Sequence, residues 1–209
     1  MAVLESAVLV VPARGRGDDR ALLRPVGDAL VFAFGDGAGG TANGSAAAEA
    51  LVALVADRAE ALAAGNEMAF VGLLEEADAT SVAASGGQTT AVVGVAMPGR
   101  IVGASVGDSG AILFREPLVD LPSGQARKPL LGSGSAQPRG FAVEWNGEPL
   151  LVATDGLLRF AVGRVIGAEL ASPRDCDSAA RRLTDLARLP SGALPDDVAL
   201  VLLRDVKPR

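Results

Sequence analysis

The chain has 209 residues, 49% of them apolar and 21% charged, with a net charge of -6 and a pI near 4.7. That length suits one αβ unit with a sizeable core, the acidity disfavours nucleic acid or an anionic membrane as partner, and no apolar run reaches the roughly 18 to 20 residues of a bilayer crossing. With no histidine and a lone Cys176, chemistry must run on carboxylates, hydroxyls, backbone and arginines, and the absent disulfide suits a cytoplasmic setting.

In chain order, the start up to Val11 lacks the charged opening of a secretory signal and reads as a first strand over Ala7 to Val11. Further strands are expected at Arg20 to Leu23, Ala29 to Phe34, Thr89 to Met97, Ile101 to Val106 and Ala111 to Phe114. Val26-Gly27-Asp28 and Pro98-Gly99 supply hairpin turns. From Ser45 to Ala64, Leu51, Leu54, Val55 and Leu62 share one helical face, with Gly65 as a left-handed stop. A second helix is expected from about Glu67 to Ala84, with Met68, Val71 and Leu74 inward and Glu75, Glu76 and Asp78 outward.

The stretch from Arg115 to Gly140 is rich in Pro, Gly and Ser, carries Arg115, Arg127, Lys128 and Arg139, and reads as a basic surface loop. Strands follow at Phe141 to Trp145 and Leu150 to Thr154, with Asn146-Gly147 as a hairpin signal between them. Leu157 to Leu170 is partly helical, Asp177 to Leu189 is an amphipathic helix, and Val198 to Arg204 is the last strand. This order predicts an α+β sheet sandwich flanked by helices rather than a regular βαβ alternation.

Asp-containing turns close several of these strands: Gly17-Asp18-Asp19, Gly35-Asp36-Gly37, Gly107-Asp108-Ser109, Thr154-Asp155-Gly156 and Pro195-Asp196-Asp197. A single Asp-Gly pair is ordinary turn chemistry. Five such turns brought together would repel one another unless a cation neutralised them, and oxygen donors without His or Cys select Mg²⁺ or Mn²⁺. Two formal motif matches are set aside. Gly35-x-Gly37-x-x-Gly40 fits a dinucleotide fingerprint, but Asp36 would face the pyrophosphate and Asp57 lies within a helix. Cys176 and Arg182 fit Cys-x5-Arg, yet Asp175 and Asp177 would raise the thiol pKa.

In order along the chain, these motifs resemble those of the metal-dependent protein phosphatase family of type 2C, which includes the sporulation stage II phosphatases. Arg14-Gly-Arg-Gly-Asp-Asp19 is similar to that family's opening Arg-x-x-Asn-Glu-Asp, with Gly17 in place of Asn. Asp36-Gly37-Ala38-Gly39-Gly40 matches its Asp-Gly-x-Gly-Gly turn. Gly87-Gln-Thr89-Thr90, Val106-Gly107-Asp108-Ser109, Thr154-Asp155-Gly156-Leu157 and Asp196-Asp197-Val198 match later segments.

The resemblance implies a four-layer αββα sandwich of two central antiparallel β-sheets, one phosphatase domain over residues 1–209, and a shortened flap at 115–140. It implies a serine/threonine protein phosphatase that hydrolyses phosphoserine and phosphothreonine with a metal-activated water and no covalent intermediate. Asp19, Asp36, Gly37, Asp155 and Asp196 would hold two Mn²⁺ or Mg²⁺ ions, with Asp36 bridging them, and Asp108 would be tied to a third, weaker ion. Arg14 would grip the phosphoryl oxygens. The partner would be a phosphorylated protein, in opposition to a serine/threonine kinase. The histidine that some relatives carry beside the glycine turn is absent, Ala38 and Thr41 standing nearby, and Gly110 replaces a common arginine. With Gly17 and the short flap, that absence supports an alternative: a weak or silent metal-binding module that engages a partner.

Overall fold

The computed structural model describes residues 3–38, 43–159, 163–172 and 174–206. Gly39, Gly40 and Thr41 of the glycine turn lie outside them. Two five-stranded antiparallel sheets stack face to face. One is ordered β1 (Val3–Val11), β10 (Val198–Val206), β9 (Leu150–Ala153), β6 (Gly110–Leu113) and β7 (Val119–Asp120). The other is ordered β2 (Arg20–Val26), β3 (Ala29–Gly35), β4 (Ala91–Met97), β5 (Gly99–Val106) and β8 (Arg139–Trp145). Helices α1 (Gly44–Ala63), α2 (Glu67–Ala79) and α3 (Ser81–Ala84) cover the second sheet. On the first lie α4 (Asp155–Leu158), α5 (Gly163–Leu170) and α6 (Cys176–Leu186). The result is the αββα sandwich implied by the sequence.

The four layers explain why the central strands are apolar at every position. In β3, Val31 and Ala33 face the α1–α2 layer, while Leu30, Phe32 and Phe34 face the other sheet. In β10, Val198, Leu200 and Leu202 meet α5 and α6, while Ala199, Val201 and Leu203 point between the sheets. A strand buried on both faces loses polar alternation. One row across the second sheet runs Phe32, Gly94, Gly103, Phe141 in register. The two glycines leave room for the two rings: a Cβ on Gly94 would stand 2.6 Å from the tip of Phe32, and one on Gly103 2.5 Å from that of Phe141.

Several local expectations are corrected. Asn146-Gly147 does not make a hairpin: β8 pairs with β5 in one sheet and β9 with β10 and β6 in the other, so this turn carries the chain between sheets. Trp145, buried between the sheets, donates its indole N–H to the Glu148 carbonyl across that turn. The second helix breaks at Thr80, where φ is -129° and ψ is -96°. Its inward face is Phe70, Leu73, Leu74 and Ala77, while Met68 is 69% exposed. Asp78, expected outward, is buried. Gly65 is not left-handed; α1 ends at Ala64, with φ -98°. Helix α6 is capped by Asp175, whose carboxylate accepts from the Ser178 N–H. Cys176 is buried beneath it and its thiol is pushed up to about 12, by burial and then by Glu5, which removes it from nucleophilic chemistry. Among the described residues no helix is long and apolar enough to cross a membrane.

Candidate metal-phosphoester site

The Asp-bearing turns lie at one end of the sandwich, where strands from both sheets finish. Asp36 follows β3 and is fixed through its backbone. Its N–H donates to Thr90 Oγ1 at 3.0 Å, and its carbonyl accepts from the Thr90 N–H at 2.9 Å and from Thr89 Oγ1 at 3.0 Å. Thr90 is held in turn by Ser109 at 2.7 Å. With the backbone pinned on both sides, the Asp36 carboxylate has a defined origin and direction. Gly37 donates its N–H to the Asp18 carbonyl at 3.3 Å, and a Cβ there would lie 2.5 Å from the Gly44 backbone. Among the described residues its own carbonyl accepts no hydrogen bond.

Asp19 is the most buried of the predicted acids, at 2% exposure, and its Oδ2 has no hydrogen-bond partner among the described residues. Its carboxyl is pushed up to about 9, first by burial and then by the Asp36 and Asp197 carboxylates. Asp36 is raised to about 7 by burial, followed by Asp155, Asp196 and Asp108. Burial also raises Asp155, opposed by the Arg159 guanidinium and reinforced by Asp108 and Asp196. Five predicted acids from five separate turns thus feel one another's charge. Burial opposes their ionisation first and the neighbouring carboxylates add to it, an arrangement that a bound cation would relieve.

A cation fits the donors. A buried carboxylate oxygen without a partner is costly, the surrounding acids are destabilised as anions, and an all-oxygen set suits a hard divalent ion. Among the described residues, no three acidic side chains yet converge on a single point as a ready-made metal site. Two arginines take up part of the charge instead. Arg159 reaches Asp155 at 2.7 Å and Asp108 at 3.6 Å, and Arg127 reaches Asp108 at 2.7 Å. Asp108 therefore faces two exposed guanidinium groups.

Arg14 stands exposed on the loop between β1 and β2, and its guanidinium makes no hydrogen bond or ion pair among the described residues. The loop itself is pinned by Asp197, a residue the sequence pattern did not single out. One Asp197 oxygen accepts from the Ala13 N–H at 2.7 Å and the other from the Asp18 N–H at 2.6 Å. Asp196, beside it, is exposed and among the described residues accepts only from the Asp197 N–H, at 2.9 Å. Of an Asp-Asp pair, one member builds the loop and the other is left for the site. The only signal in the sequence was the doubling. Gly156 completes the arrangement, since a Cβ there would lie 2.0 Å from the Asp197 carbonyl. A cavity of 480 Å³ opens over Asp36, walled by Ala38, Thr90 and Asp108 and by Arg127, Lys128 and Leu130 of the 115–140 segment.

The sequence matches no family model and no curated protein. Solved structures do match. A bacterial serine phosphatase superposes with a TM-score of 0.83 at 18% identity, covering 99% of this chain and 100% of that one. Serine/threonine phosphatase Stp1 from Staphylococcus aureus gives 0.80 at 18% identity over 100% of this chain and 96% of its own. The S. agalactiae serine/threonine phosphatase gives 0.79 at 20% identity over 97% and 99%. The chain has the fold of these phosphatases along nearly its whole length.

Proposed function

We propose that this protein is a metal-dependent protein serine/threonine phosphatase of type 2C, with residues 1–209 forming one phosphatase domain and 115–140 a short flap. The observation that carries the reading is the buried Asp19 oxygen, without a partner among the described residues, beside an Asp36 whose ionisation is opposed by burial and then by its acidic neighbours. Asp19, Asp36, Asp155, Asp196 and the Gly37 carbonyl would hold two Mn²⁺ or Mg²⁺ ions. Bound there, such ions supply charge neutralisation and lower the pKa of a water. Asp36, its backbone fixed by Thr89 and Thr90, would be the ligand both ions depend on and would not itself bond to substrate. Arg14, poised by Asp197, binds the phosphoryl oxygens with its planar fork. No covalent enzyme intermediate is needed, and Cys176 takes no part. The substrate is a phosphorylated protein, the activity opposes a serine/threonine kinase, and the setting is cytoplasmic. A third ion at Asp108 would have to displace Arg127 and Arg159, so two is the favoured number.

The arginines beside Asp108 and Asp155 favour one second reading, a weakly active or silent module that binds a partner. Hydrolysis of p-nitrophenyl phosphate and phosphothreonine peptides with Mn²⁺ or Mg²⁺ separates the two. The phosphatase reading expects metal-dependent turnover that Asp36→Asn and Asp155→Asn each lower by at least about 100-fold, as befits loss of a metal ligand. Absence of turnover in the parent protein sinks it, and an equally active Asp36→Asn sinks the assignment of the bridge.

A further inference from the structure

Asp78 sits at the end of α2, far along the chain from every site residue, and is buried at 6% exposure. Both of its carboxylate oxygens are engaged, and among the described residues every partner is a backbone N–H of the flap. Oδ1 accepts from Gly132 at 2.6 Å and Gly134 at 3.1 Å, and Oδ2 accepts from Ala136 at 2.9 Å. Three donors on one buried carboxylate hold a loop far more firmly than neutral contacts do, because hydrogen bonds to a charged group are the strong ones. Immediately before these residues, Leu131 exchanges two hydrogen bonds with Thr89, both at 3.1 Å. Thr89 Oγ1 donates to the Asp36 carbonyl. Leu131 is fully buried among the α1–α2 core residues, while Leu130, Lys128 and Arg127 wall the cavity over Asp36.

We infer that Asp78 is the latch that positions the flap over the site, and that it makes the α2 end a control point for substrate engagement. The inference rests on the phosphatase reading for its catalytic consequence, but not for the latch itself. Asp78 touches no reacting atom. It acts through 132–136, whose position sets where Arg127, Lys128 and Leu130 stand against a bound phosphopeptide. The flap is roofed from one side by an acid on a helix and tied from the other by the Leu131–Thr89 pair. Releasing the first tie leaves the second, so the site's floor stays intact while its wall loosens. A small phosphoester, which needs little of that wall, should be nearly indifferent.

Two variants, Asp78→Ala and Asp78→Asn, test this by amide exchange and steady-state kinetics in the full chain. In Asp78→Ala, exchange at 132–136 should quicken at least about tenfold, since each lost charge-assisted bond counts for that much, while Leu131, α1 and β3 keep their protection. KM for a phosphothreonine peptide should rise about fivefold or more, with kcat and Mn²⁺ affinity within about twofold and p-nitrophenyl phosphate little affected, as for a lost binding wall. Asp78→Asn keeps the Oδ1 acceptor and should fall between. Unchanged exchange at 132–136, or equal loosening of the whole α1–α2 layer, overturns the latch. Equal KM changes for peptide and small ester overturn its role in substrate engagement. If the parent shows no metal-dependent turnover but exchange responds as expected, the phosphatase reading falls and the latch stands.

Discussion

At the residue scale, the site is a set of carboxylates whose individual chemistry depends on what each is bonded to. Asp197 spends both oxygens on the backbone of the Arg14 loop, whereas Asp19 leaves one buried oxygen unpartnered. These neighbours in space therefore differ: one builds the loop, and the other keeps an oxygen that the proposed metal site would use. Arg14 follows from the same logic. An exposed guanidinium without an internal partner is free to bind an anion, so Arg14→Ala should raise KM and lower kcat/KM by roughly 100-fold or more, a loss comparable to removing one charge-stabilising donor. Thermal stability should stay within about 0.5 kcal/mol of the parent, as for a surface side chain. Steady-state kinetics with a calorimetric scan check both halves.

At the element scale, the Phe32–Gly94–Gly103–Phe141 row ties β3, β4, β5 and β8 into a single sheet. Gly103→Ala should be the more damaging substitution of the two glycines, because its Cβ would come closer to its ring and carbonyl neighbours, 2.5 Å from Phe141 and 2.3 Å from the Val93 oxygen, than a Cβ on Gly94 would to Phe32 at 2.6 Å and the Val102 oxygen at 2.7 Å. Overpacking of that kind costs about 1–3 kcal/mol, which denaturant unfolding would register as a lower midpoint at an unchanged slope. The helices show how far periodicity reads. It placed α1 well, because Leu51, Val55 and Leu62 bury against β2 and β3 at helical spacing. It misplaced Met68 and Asp78, because near a helix end the neighbouring loop, not the stripe, decides which side is inside.

At the scale of the whole molecule, the acidic end couples folding to pH and to metal. Asp19 and Asp36 titrate at about 9 and about 7 in the fold, above the usual unfolded value of about 3.9. The folded state therefore holds more protons than the unfolded chain through this window, and linkage makes metal-free stability fall as pH rises from about 4 towards 9. A Tm that climbed over that range in chelator would contradict the shifts. Added Mn²⁺ should reverse the trend, since a cation competes with those protons. At 100 times Kd it contributes about 2.7 kcal/mol, a Tm gain on the order of 5–10 °C for a chain of this size.

The chain's own order of residues carried the turn chemistry, the helical stripes, the doubly apolar strands and the five acidic turns in their sequence. Those features depend on neighbours a few positions apart, and together they reached the α+β sandwich, while the family resemblance they carry proposes Arg14, Asp19, Asp36, Asp108, Asp155 and Asp196 for the site. Pairing across the fold was another matter. Asn146-Gly147 is a sound turn signal, yet β8 and β9 go to different sheets because β5 and β10 claim their edges. The division of labour between Asp196 and Asp197, the arginines drawn to Asp108 and Asp155, and the grip of Asp78 on 132–136 all arise from groups distant in sequence. A carboxylate's role is set by which donors reach it in space, and local pattern holds no record of them.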